Sequence, residues 1–141
     1  MAAVVFAIIP VIVLGIILSI LELSFVHQDE AGMGWLKHGL HAIPTMFVFI
    51  FISMNINWVL SLVGWHESLW AVIGVRFVVG VIAAIKISAA AAVAGRVGEK
   101  LPHTLIIAAL IMVAPFIWEM FLCTIPYIQH LPMNGCPVPG K

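Results

Sequence analysis

The stretch Leu69–Gly95, LWAVIGVRFVVGVIAAIKISAAAAVAG, decides the fold. It is apolar over more than the roughly 20 residues that a helix needs to cross a bilayer, yet it carries Arg76 and Lys86. Small residues recur at every fourth position, at Gly80, Ala84, Ser88 and Ala92. That spacing places them on one helical face, where they let neighbouring helices approach closely in lipid. The stretch reads as a central membrane helix against which the others pack.

Three more stretches have the necessary length and apolarity, roughly Ala2–Val26, Pro44–Gly64 and His103–Tyr127. The fold class that follows is all-α. It is a polytopic membrane protein with four transmembrane helices in an up-down bundle, residues 1–128 forming one transmembrane domain. Residues 129–141, rich in proline and glycine, read as an irregular tail. Composition agrees. Of 141 residues, 64% are hydrophobic and 9% charged, and the mean hydropathy is +1.22, which leaves too little polar surface for a water-soluble domain. Six Lys+Arg balance six Asp+Glu, and no basic tract is present, so a nucleic-acid partner is excluded. The N-terminal run lacks a basic leading segment and is longer than the core of a typical signal peptide, so it is read as the first span.

The connector from Gln28 to Ile43 has its own periodicity. Met33, Leu36, Leu40 and Ile43 share one helical side, and Lys37, His38 and His41 fall on the other. This predicts a short interfacial helix between the first two spans, anchored by Trp35. Pro44 then suits the first turn of the second span. In that span Ser53, Asn57, Ser61 and Gly64 form a small and polar stripe. Asn55 falls off the stripe and has to find a partner elsewhere. Pro115 predicts a bend one turn before Glu119.

An ionised side chain in mid-membrane costs at least about 2.5–3.5 kcal/mol, so Glu22, Arg76, Lys86 and Glu119 should face inward and pair. At about 1.5 Å per residue, Arg76 and Glu119 differ in depth by only about 3 Å. They are the preferred pair, with Asn57 at the same level. Glu22 and Lys86, near the opposite surface, make the second. The five residues Glu22, Asn57, Arg76, Lys86 and Glu119 would form a polar seam.

At the other extreme of the bundle His27, His38, His41 and His103 share one membrane boundary with Asp29, Glu30 and Glu99. Imidazoles with carboxylates suit a divalent metal such as zinc, iron or manganese. The plainer reading makes them wet interfacial side chains. No HExxH is present, and no histidine lies mid-span, which argues against a bis-histidine haem. No Ser/His/Asp or Cys/His constellation stands out, so no catalytic residue is assigned. Cys123 and Cys136 are either free or joined in a disulfide that pins the tail.

Lys37, Arg96 and Lys100 lie in the first and third loops, against Lys141 alone in the tail. The positive-inside rule therefore puts both termini outside, in what reads as the plasma membrane of a prokaryote. The leading functional reading is a channel- or transporter-like protein, or a membrane subunit, built around the polar seam. So small a bundle rarely encloses a pore, so a homo-oligomer or other membrane subunits are the expected partners, besides the lipid bilayer itself. The alternatives are an intramembrane metal-dependent enzyme using the histidine and acid cluster, and a structural or assembly subunit of a larger membrane complex.

Overall fold

The computed structural model describes residues 5–29, 34–94 and 100–136, except for the side chains of 34–39 and 90–94. The described residues are almost entirely helical and contain no strand: α1 (Ile8–Asp29), α2 (Gly34–Met54), α3 (Ile56–Leu62), α4 (Leu69–Ala94), α5 (Leu101–Ile117), a π-helical turn (Trp118–Leu122) and α6 (Pro126–Gln129). Among them, Ile8–Asp29, Leu69–Ala89 and Leu101–Leu122 are each long and apolar enough to cross a membrane. A fourth span is formed if Leu40–Met54 and Ile56–Leu62, bent by 80° at Asn55, count together.

The chain runs back and forth. Asp29, at the end of α1, meets Lys100 and His103 at the start of α5. Ala7 and Ile9, at the start of α1, meet Asn55 and Met133. One end of the bundle is thus closed by a clamp on Asp29. The other gathers the α2–α3 break, the start of α4 and the last turns of the chain.

The central helix is α2, which corrects the expectation that Leu69–Gly95 holds that place. α2 packs on α1, α4 and α5, whereas α1 and α4 flank the α2–α5 pair and make little contact with each other. The buried face of α4 is Arg76, Val79, Gly80, Ala83 and Ile87, an i, i+3, i+4, i+7, i+11 set. Ala84 is only partly covered and Ser88 is exposed, so the fourfold small-residue stripe drifts off the interface, as any strict four-residue repeat does on a helix of 3.6 residues per turn. Packed in the same core are Leu14 and Leu18 of α1, Met46 and Ile50 of α2, and Ile107, Ile111 and Ala114 of α5. Gly15 marks the closest approach of α1 to α2, because a Cβ there would stand 2.3 Å from the Phe47 ring.

The separate interfacial helix of residues 33–43 is not formed as such. Gly34–Met54 is one continuous helix with Pro44 inside it, and Met33 lies outside the described residues. Pro44 removes one backbone bond but sits on the exposed side, and Thr45 Oγ1 donates to the His41 carbonyl nearby (3.4 Å). The carbonyl that Pro44 leaves without its amide donor is that of Leu40, which also lies on the exposed side. The short helix that lies crosswise is α3, at the opposite end of α2.

Candidate functional site

Three irregularities meet at the end of the bundle away from the Asp29 clamp. The first is the break at Asn55. The Asn55 amide still reaches the Phe51 carbonyl, and the ladder resumes with Val59 bonding to Asn55. The Asn55 side chain secures the turn, with Nδ2 donating to the Phe51 carbonyl (2.9 Å) and Oδ1 accepting the Ala7 amide (2.8 Å). This is the outside partner that the sequence demanded for Asn55. The second irregularity is Pro115, buried inside α5. With no N–H it cannot bond the Ile111 carbonyl one turn back, and Ser53 Oγ of α2 donates to that carbonyl instead (2.9 Å). The third is the π-turn Trp118–Leu122, which contains Glu119. Such turns are rare and concentrate at functional sites.

These departures from regular helix open a cleft of about 810 Å³, lined among others by Asn55, Asn57, Trp58, Glu67, Arg76 and Glu119. Arg76 is its most enclosed polar group. The residue is only 6% exposed and lies seven residues along α4, about 10 Å from the helix start. Its Nε donates to the Ser53 carbonyl (3.4 Å), and its guanidinium carbon stands 4.6 Å from the centre of the Phe116 ring, within cation–π range. Ser53 therefore serves α5 through its hydroxyl and α4 through its carbonyl. The Nη groups of Arg76 have no hydrogen-bond acceptor among the described residues, and the side chain borders the cleft.

Glu119 borders the same cleft and is exposed. Among the described residues the ion pairs within 4 Å are those of Asp29 with Lys100 and His103, so Arg76 and Glu119 border one cleft without the direct ion pair expected of them. Asn57 is exposed on α3 and donates to Glu67 Oε1 (2.8 Å). Glu67 and Trp58 were not singled out by sequence reasoning. Their signal was available only in part, because Asn57 and Glu67 come together across a turn whose geometry depends on the break at Asn55.

The rest of the expected seam does not assemble here. Glu22 is fully buried on α1, beside buried Ser19. Lys86 lies on the exposed side of α4 and forms no ion pair with Glu22. The reason is angular. Arg76 and Lys86 are ten residues apart, which at 100° per residue sets them about 80° apart around α4, and α2 and α5 stand between α1 and α4. Near the end of the span, a lysine can lay its stem along lipid and lift its ammonium to the interface. The Ser53, Asn57, Ser61 stripe is also divided by the break, with Ser53 buried and Asn57 and Ser61 exposed.

The described residues place three of the four histidines. His27 and His41 are exposed, and the His38 side chain lies outside the described residues. His103 Nδ1 is 2.6 Å from Asp29 Oδ2, and its ring stacks on Phe25 at 4.3 Å. Asp29 also accepts the Lys100 amide (2.9 Å) and pairs with its ammonium (3.0 Å). Among the described residues no three His, Cys, Asp or Glu side chains are placed to hold a metal. Of the expected divalent-metal site of His27, His38, His41 and His103, the described residues thus place His103 in a helix clamp with Asp29 and His27 and His41 at the surface.

The wall of the cleft beyond Glu119 is the C-terminal segment. Cys123 and Cys136 form a disulfide. Trp118 is 1% exposed and donates Nε1–H to the Asn134 carbonyl (2.6 Å). Asn134 Nδ2 donates to the carbonyls of Ile128 and Gln129. Residues 130–136 have no regular secondary structure, but they are pinned by these bonds and by that of the Ile9 amide to the Met133 carbonyl.

Comparison with known proteins gives no match: no family model, curated protein or solved structure aligns significantly with this chain.

Proposed function

We propose that this chain is a small integral membrane protein of transport type, or a membrane subunit of such a system, that binds a charged solute in the cleft around Arg76. One observation carries the reading. A guanidinium is buried among the helices, held by Ser53 and Phe116, on a side chain that borders an open cleft. A charge kept in a membrane span at a cost of several kcal/mol is a functional group by default, and here its immediate protein partners are a carbonyl and a ring. Glu119, Asn57 and Glu67 complete the polar lining.

The cleft opens at one end of the bundle, and Glu22 and Lys86 do not extend it to the other. A single chain thus supplies a binding site, and a conducting path requires association with further copies or subunits. Lys86 and Ser88, on the outward side of α4, favour a second reading as a subunit within a larger assembly. The disulfide supports placing the cleft end on the oxidising side of the membrane, which agrees with the lysine and arginine count of the loops. On this reading both termini lie outside the cytoplasm of a prokaryotic cell.

The test is reconstitution in liposomes mounted on a solid support. Jumps of amino acids, small carboxylates and small amines on the cleft side should give transient currents with the wild-type chain. Arg76→Ala, inserted to the same level, should lose them. A wild-type chain that responds to no solute of the panel would sink the transport reading. Crosslinking from Lys86 to a second protein in native membranes, without solute currents, would favour the subunit reading instead.

A further inference from the structure

The charges around the cleft select the chemistry of its ligand, on the footing that the cleft is a binding site. Arg76 Nε is taken by the Ser53 carbonyl and one side of the guanidinium plane lies by Phe116. The remaining Nη1/Nη2 edge presents parallel N–H donors, a fork that fits two oxygens of a carboxylate or phosphate. A simple anion is nevertheless poorly matched, because Glu67 and Glu119 line the same space and their carboxylates repel it. A simple cation is repelled by Arg76. A molecule carrying both an oxyanion and an ammonium meets each group with its opposite, and complementarity of this kind selects a ligand more strongly than it tightens binding.

We propose that the cleft takes a zwitterion, its carboxylate or phosphate on the Nη edge of Arg76 and its ammonium between Glu67 and Glu119 beside Trp58. Trp58 lines the cleft, and an indole is the best aromatic partner for an ammonium. Asn57, by donating to Glu67 Oε1, fixes one carboxylate in position. The cleft volume lies within the roughly 300–1,000 Å³ of small-molecule sites. Two sources carry this chemistry, a free amino-acid-like solute and the headgroup of a zwitterionic lipid.

The experiment uses the full-length chain in phosphatidylglycerol nanodiscs and reads tryptophan fluorescence and calorimetric heat. The probes are γ-aminobutyrate, glycine betaine and glycerophosphoethanolamine, with propionate and propylammonium as single-charge controls. At least one zwitterion should bind at least tenfold more tightly than either control. Arg76→Gln should weaken that binding at least tenfold. Glu67→Gln, at the exposed rim where folding is not at stake, should weaken the zwitterion and strengthen propionate. If glycerophosphoethanolamine binds in phosphatidylglycerol discs and is displaced in phosphatidylethanolamine discs, the ligand is a lipid headgroup. If γ-aminobutyrate or glycine betaine binds equally in both, it is a free solute. Preferential binding of propionate or propylammonium overturns the zwitterion assignment and leaves the binding cleft standing. Absence of binding by every probe, with the wild-type protein folded, overturns both.

Discussion

The two ends of this bundle solve the same problem differently. At the Asp29 end, α1 and α5 are joined by one carboxylate that accepts the Lys100 amide and the His103 ring. The helices there remain regular up to the last described turns. At the Arg76 end two of the spans depart from regularity, α2–α3 at Asn55 and α5 at Pro115 and Trp118–Leu122. Regular helices in lipid bury their own polar backbone and leave nothing for a ligand. Irregular ones release carbonyls and make room. The contrast teaches that the site at the Arg76 end is made of backbone defects: Asn55 secures its own turn and accepts the Ala7 amide, and Ser53 of α2 donates to the carbonyl that Pro115 leaves free.

The sharpest way to break the comparison is to remove what closes the irregular end. Trp118→Ala should cost about 3–5 kcal/mol, the usual range for emptying a buried tryptophan site. Measured by steric trapping in bicelles, a loss under 1 kcal/mol, in the range of an ordinary surface change, would mean that the C-terminal wall is not structural. Next comes the disulfide. Replacing both Cys123 and Cys136 by serine should cost about 3 kcal/mol, the value for a closed loop of about 15 residues. The loss should appear as faster proteolysis confined to the segment after Leu122. Protection unchanged from wild type would show that hydrogen bonds alone hold the tail.

Ser53 gives a finer test. Ser53→Ala strands the Ile111 carbonyl and should cost about 1–3 kcal/mol. In a Pro115→Ala background the restored amide at position 115 takes that carbonyl, and the cost of Ser53→Ala should fall by at least half. Equal costs in both backgrounds would show that the hydroxyl does not compensate for the proline. The smallest effect belongs to the regular end. Asp29→Asn should cost about 1 kcal/mol, since Lys100 is largely solvated and exposed pairs are worth little. It should leave probe binding at the cleft unchanged. A loss of binding equal to that of Arg76→Gln would tie the two ends together and erase the distinction.

The helices were legible in the sequence because long apolar runs have one common outcome in lipid. The depth match of Arg76 and Glu119 was legible too, since axial distance follows from residue number. Rotation about the axis was not. α4 is apolar all round, so nothing in its pattern told which side would be buried, and Lys86 turned outward. The break at Asn55 has no proline or glycine to announce it and depends on a bond to the Ala7 amide, a partner 48 positions away. Pro44 was read as a helix start, but it lies within a helix because its lost bond falls on an exposed side. The metal reading of the histidines rests on shared depth, and depth alone does not say whether side chains from separate helices reach one point.

Arg76 has a consequence for how the molecule is made. α4 on its own would present that guanidinium to lipid, since the Ser53 carbonyl comes from α2 and the Phe116 ring from α5. Assembly of the three helices is therefore what withdraws the charge, and in the order of synthesis the shelter is complete only once α5 has been made.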